Sequence, residues 1–198
     1  MNIPTVTFIY AYPLDAGRRR LYEEKNLGVY PSSKEIKTTM QQWQNVWEET
    51  NRDGRVMAKM MAITKRVPKR ALECFVFGGG LNPMSTPFLM PVMTRERAQR
   101  TNEDFLQTMI HELLHIFVTA NTEEYWTAVR EKYQNESLLT QDHIIIFAAL
   151  GKIYQDCFGH MPPDFAREDL SEGYTQAMKI VKDTSYEQVI AEYDALVK

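Results

Sequence analysis

The stretch NEDFLQTMIHELLHIFVTA, residues 102–120, has a strongly apolar pattern with helical spacing. Thr101 or Asn102 can cap its start, and Glu103 and Asp104 place negative charge in the first turn, where the helix dipole favours it. The apolar positions cover more than one stripe of the helix: Phe105, Leu106, Met109, Ile110, Leu113, Leu114, Phe117 and Val118. A helix that is apolar over this much of its surface packs through the middle of a domain. We therefore predict a buried helix over residues 102–120.

Two histidines, His111 and His115, stand four positions apart in this helix. At this spacing both lie on one helix face, so their imidazole nitrogens can converge on a single cation while Glu112 points to one side. A histidine on an apolar helix is more often a core residue bonded to a carbonyl, but the chain has only four histidines and two of them flank this glutamate. A buried glutamate is costly unless a cation or a hydrogen-bond network compensates it. The spacing therefore predicts a zinc site.

The composition of the chain is that of a single globular domain. Its 198 residues carry a formal net charge of −3, and the densest basic run, Arg18–Arg20, is too short to indicate a nucleic-acid partner. No apolar run reaches the roughly 18 residues of a membrane span, and the N-terminus lacks a secretory signal pattern. We expect no membrane association and a cytoplasmic location by default, with a secreted mature form as the alternative. Cys74 and Cys157 have no metal-type spacing, so a cysteine zinc cluster is not expected.

The predicted strands precede most of the predicted helices. Before residue 102 we predict a strand at 4–10, a loop or short irregular helix up to residue 28, helices at 33–49 and 56–63, and strands at 72–77 and 87–93. After the motif helix we predict helices at 123–133, 142–158, 170–181 and 186–197. This order indicates an α+β fold with a small, mostly antiparallel sheet packed on helices. We expect one domain over residues 1–198, with the strands in residues 1–100 and the helical part in residues 101–198.

The strand predicted at 87–93 contains Pro87 and Pro91, which cannot donate to a sheet ladder. We therefore expect this strand at a sheet edge, where an extended peptide could add itself by main-chain hydrogen bonds. Gly78–Gly80 precede it and would allow main chain to approach a substrate closely, although a plain glycine turn explains them equally well.

The run from His111 to His115 resembles the active-site helix of the zincin metallopeptidases, which carries two zinc histidines and a general-base glutamate. The order of the predicted elements over residues 4–158 is also similar to the zincin layout. Metzincins continue the motif with a glycine and a third histidine, where this chain has Val118 and Asn121. The resemblance is therefore to a minimal gluzincin-like zincin. It implies a zinc-dependent hydrolase acting on a peptide or protein, with Glu112 as the catalytic base and one zinc ion per chain.

The third zinc ligand must come from outside the motif, because a catalytic zinc takes three protein ligands and leaves one position for water. We favour His143, which stands at the start of the apolar helix predicted at 142–158, preceded by the capping candidates Thr140 and Asp142. The alternatives are glutamates: Glu123, Glu124 and Glu136. A stabiliser of the oxyanion is also needed, and its candidates are Tyr125, His160 and Tyr174.

Two other functions are compatible with the motif. Peptide deformylases pair it with a cysteine ligand from an upstream strand, and Cys74 lies in such a strand, but the residues around it, Leu-Glu-Cys-Phe, differ from the Glu-Gly-Cys order of that family. A zincin-like interaction module without activity is the other alternative, since a fold does not imply a function. The intact Glu112 favours the enzyme.

Overall fold

The described residues form helices and one small sheet. The computed structural model describes residues 3–68, 72–94, 96, 98–119, 123–167 and 170–196. The elements are β1 (Val6–Tyr10), α1 (Tyr12–Lys25), α2 (Ser33–Thr50), α3 (Arg55–Thr64), β2 (Leu72–Phe77), β3 (Met84–Ser85), β4 (Phe88–Pro91), α4 (Asn102–Val118), α5 (Glu123–Lys132), α6 (Leu138–Phe158), α7 (Glu172–Thr184) and α8 (Tyr186–Leu196). Short 3-10 segments lie at Arg52–Gly54 and Pro163–Ala166. The α+β prediction is confirmed. None of the described helices has both the length and the apolar composition that a membrane span needs.

The sheet is mostly parallel, so the predicted antiparallel sheet is wrong. Its strand order is β1-β2-β4-β3, and β2 pairs in parallel with both β1 and β4. Among the described strands, the antiparallel pair is β3 and β4, which are joined by a tight connection. The long connection from β1 to β2 contains α1, α2 and α3, and such a crossover allows parallel pairing. The connection from β2 to β4 contains only the short β3 and also returns the chain in the parallel direction. The prediction of an antiparallel sheet failed because the order of the strands along the sequence does not show which connections are crossovers.

The predicted edge position of the segment 87–93 is also wrong. β4 lies between β2 and β3, and the edges of the described sheet are β1 and β3. Pro87 lies in the turn before β4, and Pro91 is the last residue of the strand. Prolines at these positions remove few ladder hydrogen bonds, so an inner strand tolerates them. Next to β4, the edge strand to which a peptide could add is the short β3.

Several helix boundaries differ from the prediction. α1 occupies a stretch for which we predicted a loop or short irregular helix. Its regular length was missed because its buried side chains, Asp15 and Tyr22, form no apolar stripe. α6 begins at Leu138, before the predicted start, and its cap is Ser137, whose hydroxyl accepts the N–H of Thr140 at 3.1 Å. α4 ends at Val118 and α8 at Leu196, and the predicted helix ends at Ala120 and Val197 lie outside the described residues.

The chain forms two compact units. The first comprises Met1–Asp53 and Lys69–Glu112, and the second comprises Gly54–Pro68 and Leu113–Lys198. The boundary runs through α4, after Glu112. In the first unit, Phe105 of α4 stacks on Trp43 of α2 with ring centroids 4.6 Å apart. In the second unit, α6 is buried along most of its length and packs on α7 and α8. The prediction of a single domain stays a prediction.

A buried carboxylate anchors the glycine bend that follows β2. Asp15 is only 1% exposed, and its Oδ1 accepts the N–H of Gly78 at 2.9 Å and the hydroxyl of Tyr30 at 2.8 Å. Its Oδ2 accepts the hydroxyl of Tyr10 at 2.6 Å and an N–H of Arg19 at 3.1 Å. A Cβ at Gly78 would lie 2.5 Å from the Tyr30 ring. This glycine is therefore explained by packing, without any substrate.

Replacing Asp15 with Asn should destabilise the protein at neutral pH and much less in acid. Burial alone would raise the pKa of Asp15, but the hydrogen bonds from Tyr10, Gly78, Tyr30 and Arg19 together hold it below its usual range. A folded-state pKa below the unfolded value, about 3.9, stabilises the protein above that pH, and this contribution is lost as the pH falls through the folded value. We expect a loss of about 2–3 kcal/mol at pH 7.

Urea unfolding at pH 7 and at pH 3 measures this effect. The difference in unfolding free energy between the wild type and Asp15→Asn should narrow at the lower pH. Asp53→Asn is the matched control, because Asp53 is exposed and its φ of 57° suits Asn equally well. An equal difference between the wild type and Asp15→Asn at both pH values would contradict the assigned role of the carboxylate.

Candidate metal centre

Helix α4 presents the motif residues from a well-capped scaffold. Its start is a reciprocal cap, in which the Thr101 hydroxyl accepts the N–H of Asp104 at 3.1 Å and the Asp104 carboxylate accepts the N–H of Thr101 at 3.2 Å. The predicted cap at Thr101 is thus confirmed. His111 and Glu112 are only 7% and 9% exposed, and His115 is half-buried. The motif residues are therefore largely shielded from solvent.

The structure brings the three predicted histidine ligands together. One ligand atom from each of His111, His115 and His143 lies within 4.8 Å of the other two. Nε2 of His115 lies 3.1 Å from Nε2 of His143. His143 comes from the second turn of α6 and is 5% exposed. Two helices thus direct imidazole nitrogens to one point.

The hydrogen bond of His143 fixes which of its nitrogens faces the other histidines. Its Nδ1 lies 2.8 Å from the carbonyl oxygen of Leu139, one turn earlier in α6. A carbonyl can only accept, so Nδ1 carries the hydrogen and Nε2 of the neutral ring carries the lone pair. Proteins commonly orient a metal-binding histidine by a hydrogen bond from its non-coordinating ring nitrogen to a backbone carbonyl. The His143 ring is therefore set up as an Nε2 ligand.

Burial favours the neutral form of His115 and His143. It lowers the pKa of His115 to about 3, with a further contribution from His143. It also lowers the pKa of His143, although the hydrogen bond to the Leu139 carbonyl opposes the change. Metal ions bind the neutral imidazole, so the protonation state at pH 7 is the one that coordination requires.

The donor set fits zinc. Zn–N bonds of about 2.0–2.1 Å at tetrahedral angles place two ligand nitrogens roughly 3.4 Å apart. The separation of 3.1 Å between the His115 and His143 nitrogens is close to this value. Three imidazoles form a known catalytic zinc set and leave a fourth position for water or substrate. The three imidazoles could therefore hold a metal ion, and zinc is among the ions that suit them.

Glu112 is a buried carboxyl beside the histidines. Burial raises its pKa to about 7, and the positive charge of Arg100 opposes the increase. The Arg100 guanidinium is held by two hydrogen bonds, from Nε to the Pro91 carbonyl at 3.0 Å and from Nη1 to the Thr108 hydroxyl at 3.1 Å. Thr108 stands one turn before Glu112 on the same face of α4. A carboxyl in this setting can accept a proton from a nearby water.

The other predicted ligands do not join the histidines. Among the described residues, the metal-binding group contains no carboxylate and no cysteine. Glu123 and Glu124 are exposed at the start of α5, and Glu136 accepts a hydrogen bond from Gln176 at 3.0 Å. Cys74 is completely buried in β2, where burial and the nearby Glu112 raise the pKa of its thiol. The structure therefore favours His143 over every alternative.

The three candidates for an oxyanion stabiliser lie in different places. The Tyr174 ring packs against His143 with centroids 4.4 Å apart. Tyr125 is buried against Tyr193, and His160 is exposed, with its Nδ1 2.9 Å from the carbonyl oxygen of Met161. Tyr174 therefore lies directly beside a member of the histidine group.

Some site residues were missed from the sequence. The Leu139 carbonyl could have been anticipated from its position four residues before His143, had the start of α6 been placed correctly. The role of Arg100 beside Thr108 and the contact of Tyr174 of α7 with His143 could not be anticipated from local sequence. The chain matches no protein-family model, and no curated protein or solved structure was found to be similar to it. The chemistry of the site is therefore the basis for assigning a function.

Proposed function

We propose that this protein is a zinc-dependent hydrolase that cleaves peptide bonds and belongs to the gluzincin-like zincins. Its zinc ligands are His111, His115 and His143, and its general base is Glu112. The observation that supports this proposal best is the convergence of three imidazoles from two helices, with their ligand atoms within 4.8 Å. The glutamate between two of these ligands supplies the proton acceptor that hydrolysis needs.

Glu112 performs the proton transfers in this proposal. Zinc, when bound, supplies a Lewis acid that polarises the scissile carbonyl and lowers the pKa of water. Glu112 removes a proton from the attacking water as the water oxygen bonds to the carbonyl carbon. Glu112 then delivers that proton to the amide nitrogen as the C–N bond breaks, so that the amine leaves neutral. Glu112 is only 9% exposed, which limits the access of competing water during these steps.

The edge strand β3 supports an extended peptide as substrate. Within the described sheet β3 pairs only with β4, so its other side is an edge that can accept main-chain hydrogen bonds. Met84 of β3 and Leu81 just before it are exposed apolar side chains that could contact those of a peptide. A peptide or protein substrate is therefore preferred over a small amide.

The test compares three preparations of the protein: zinc-loaded, stripped with a chelator, and reloaded. Each is incubated with a mixture of quenched fluorescent peptides and, separately, with formyl-methionyl peptides. We expect cleavage of internal peptide bonds by the loaded and reloaded protein and a loss of at least about 100-fold after stripping, since zinc activates both water and carbonyl. Cleavage that survives complete stripping would overturn the zinc mechanism. Release of formate alone would favour a deformylase-like hydrolase.

A further inference from the structure

We propose that the first turn of α7 positions the third zinc ligand, with Gly173 and Tyr174 together holding the ring of His143. We call these two residues the α7 bracket. The inference rests on the proposed zinc site and adds two positioning residues to it. Neither residue is a ligand or touches the reacting atoms in this proposal. The contacts that carry the proposal lie within the second compact unit.

Gly173 allows α7 to approach the first turn of α6. A Cβ at Gly173 would lie 2.9 Å from Cδ2 of Leu139 and 3.1 Å from its Cβ and Cγ. The carbonyl of Gly173 also accepts a hydrogen bond from the buried hydroxyl of Thr140 at 3.2 Å. Any larger residue at this position would push α7 away from Leu139 or displace the Leu139 side chain.

Leu139 links this contact to the metal site. Its side chain meets Gly173, and its carbonyl oxygen lies 2.8 Å from Nδ1 of His143. By accepting the hydrogen of Nδ1, this carbonyl orients the ring so that the Nε2 lone pair faces the other histidines. A shift of α7 against Leu139 therefore acts on the hydrogen bond that orients the ligand.

Tyr174 restrains the ring of His143 from the side. Its ring is tilted by 38° against the imidazole, with the centroids 4.4 Å apart. Tyr174 meets Phe147 at a centroid distance of 5.5 Å, and Phe147 lies 5.8 Å from His143. The imidazole is thus held by an aromatic contact on its side and a carbonyl at Nδ1. A ligand preorganised in this way loses less rotamer freedom when it binds metal.

If the bracket positions His143, its loss should weaken metal binding more than it weakens the metal-free fold. A purely structural contact would instead lower the thermal midpoint of the stripped protein and leave zinc affinity unchanged. Zinc affinity is measured by competition with a chromophoric chelator, and the geometry of the site by the visible absorption of the cobalt-loaded protein. The thermal midpoint of each stripped variant is recorded in parallel.

The first set of variants tests the contact between Gly173 and Leu139. Gly173→Ala should bind zinc about 10-fold more weakly, the lower end of the usual effect of losing an outer contact of a metal ligand. Leu139→Ala keeps its carbonyl and should bind zinc as the wild type does. The double variant Leu139→Ala with Gly173→Ala should recover most of the lost affinity, because the Cγ and Cδ2 contacts are gone and only the 3.1 Å approach of the two Cβ atoms remains. Gly17→Ala is the control, since a Cβ there meets no atom within 4 Å.

The second set tests the Tyr174 ring. Tyr174→Phe keeps the ring and should bind zinc like the wild type, with an unchanged cobalt spectrum. Tyr174→Ala should bind zinc about 10-fold more weakly and alter the spectrum. If Tyr174→Phe loses as much affinity as Tyr174→Ala, the hydroxyl is what matters and the bracket is overturned. Wild-type affinity in Gly173→Ala, or no recovery in the double variant, would overturn it as well.

The same assay separates failure of the bracket from failure of the proposed function. Wild type and His143→Ala are measured beside the bracket variants. A wild type that binds no zinc overturns both proposals. A wild type that binds zinc, together with a His143→Ala variant that does not, retains the zinc site, and the bracket then stands or falls on its own variants.

Discussion

Replacing Glu112 with Gln is expected to reduce hydrolysis by about 100- to 10,000-fold, the range that a positioned general base supplies, while zinc remains bound. Gln has nearly the size of Glu but cannot accept the proton of the attacking water. Its amide carries no charge, so the cost of burying an ionised carboxylate disappears, and that cost exceeds the opposing effect of Arg100. We therefore expect the thermal midpoint of the variant to equal or exceed that of the wild type.

The measurement pairs initial cleavage rates with zinc content by elemental analysis for the same samples. Glu103→Gln is the matched control, because it removes an exposed carboxylate from the first turn of the same helix. Full activity in Glu112→Gln would remove Glu112 from the mechanism. A wild type that holds zinc and cleaves nothing, with Glu112→Gln indistinguishable from it in every assay, would favour the zincin-like interaction module.

Local sequence patterns were sufficient for some elements and not for others. α2 follows from an apolar stripe and from the capping box of Ser32 and Glu35, and β2 from a short aromatic and β-branched run. α1 has no such stripe because it buries the carboxylate of Asp15, whose partners come from distant parts of the chain. Strand pairing is likewise a non-local property. For that reason the parallel ladders and the inner position of β4 could not be predicted.

The same distinction applies to the site. His111 and His115 share a helix, so their geometry follows from the rise and turn of the helix alone. His143 was selected by its chemistry, since zinc needed one more donor and a histidine at the start of an apolar helix was available. That argument does not use the structure, and the structure places His143 beside His115. The contacts that orient His143 depend on how α7 packs on α6, which no local pattern records.

Removal of any one histidine of the group is expected to abolish stable zinc binding. We expect about one zinc per chain in the wild type and almost none in His111→Ala, His115→Ala or His143→Ala after dialysis. Two imidazoles hold zinc far more weakly than three, and each deletion also leaves a cavity in a buried site. His160→Ala is the control, because His160 is the remaining histidine of the chain and is exposed.

Thermal unfolding gives an independent measure of the same site. Zinc that binds only the folded state should stabilise the wild type by about 2.7 kcal/mol when its free concentration is 100 times the dissociation constant. The midpoint of the wild type and of His160→Ala should therefore rise with added zinc, and the midpoints of the three site variants should not. A His143→Ala variant that still shows the full zinc-dependent rise would transfer the third ligand to another residue. Loss of the rise in His143→Ala but not in His160→Ala would establish that α6 supplies the ligand that completes the motif of α4.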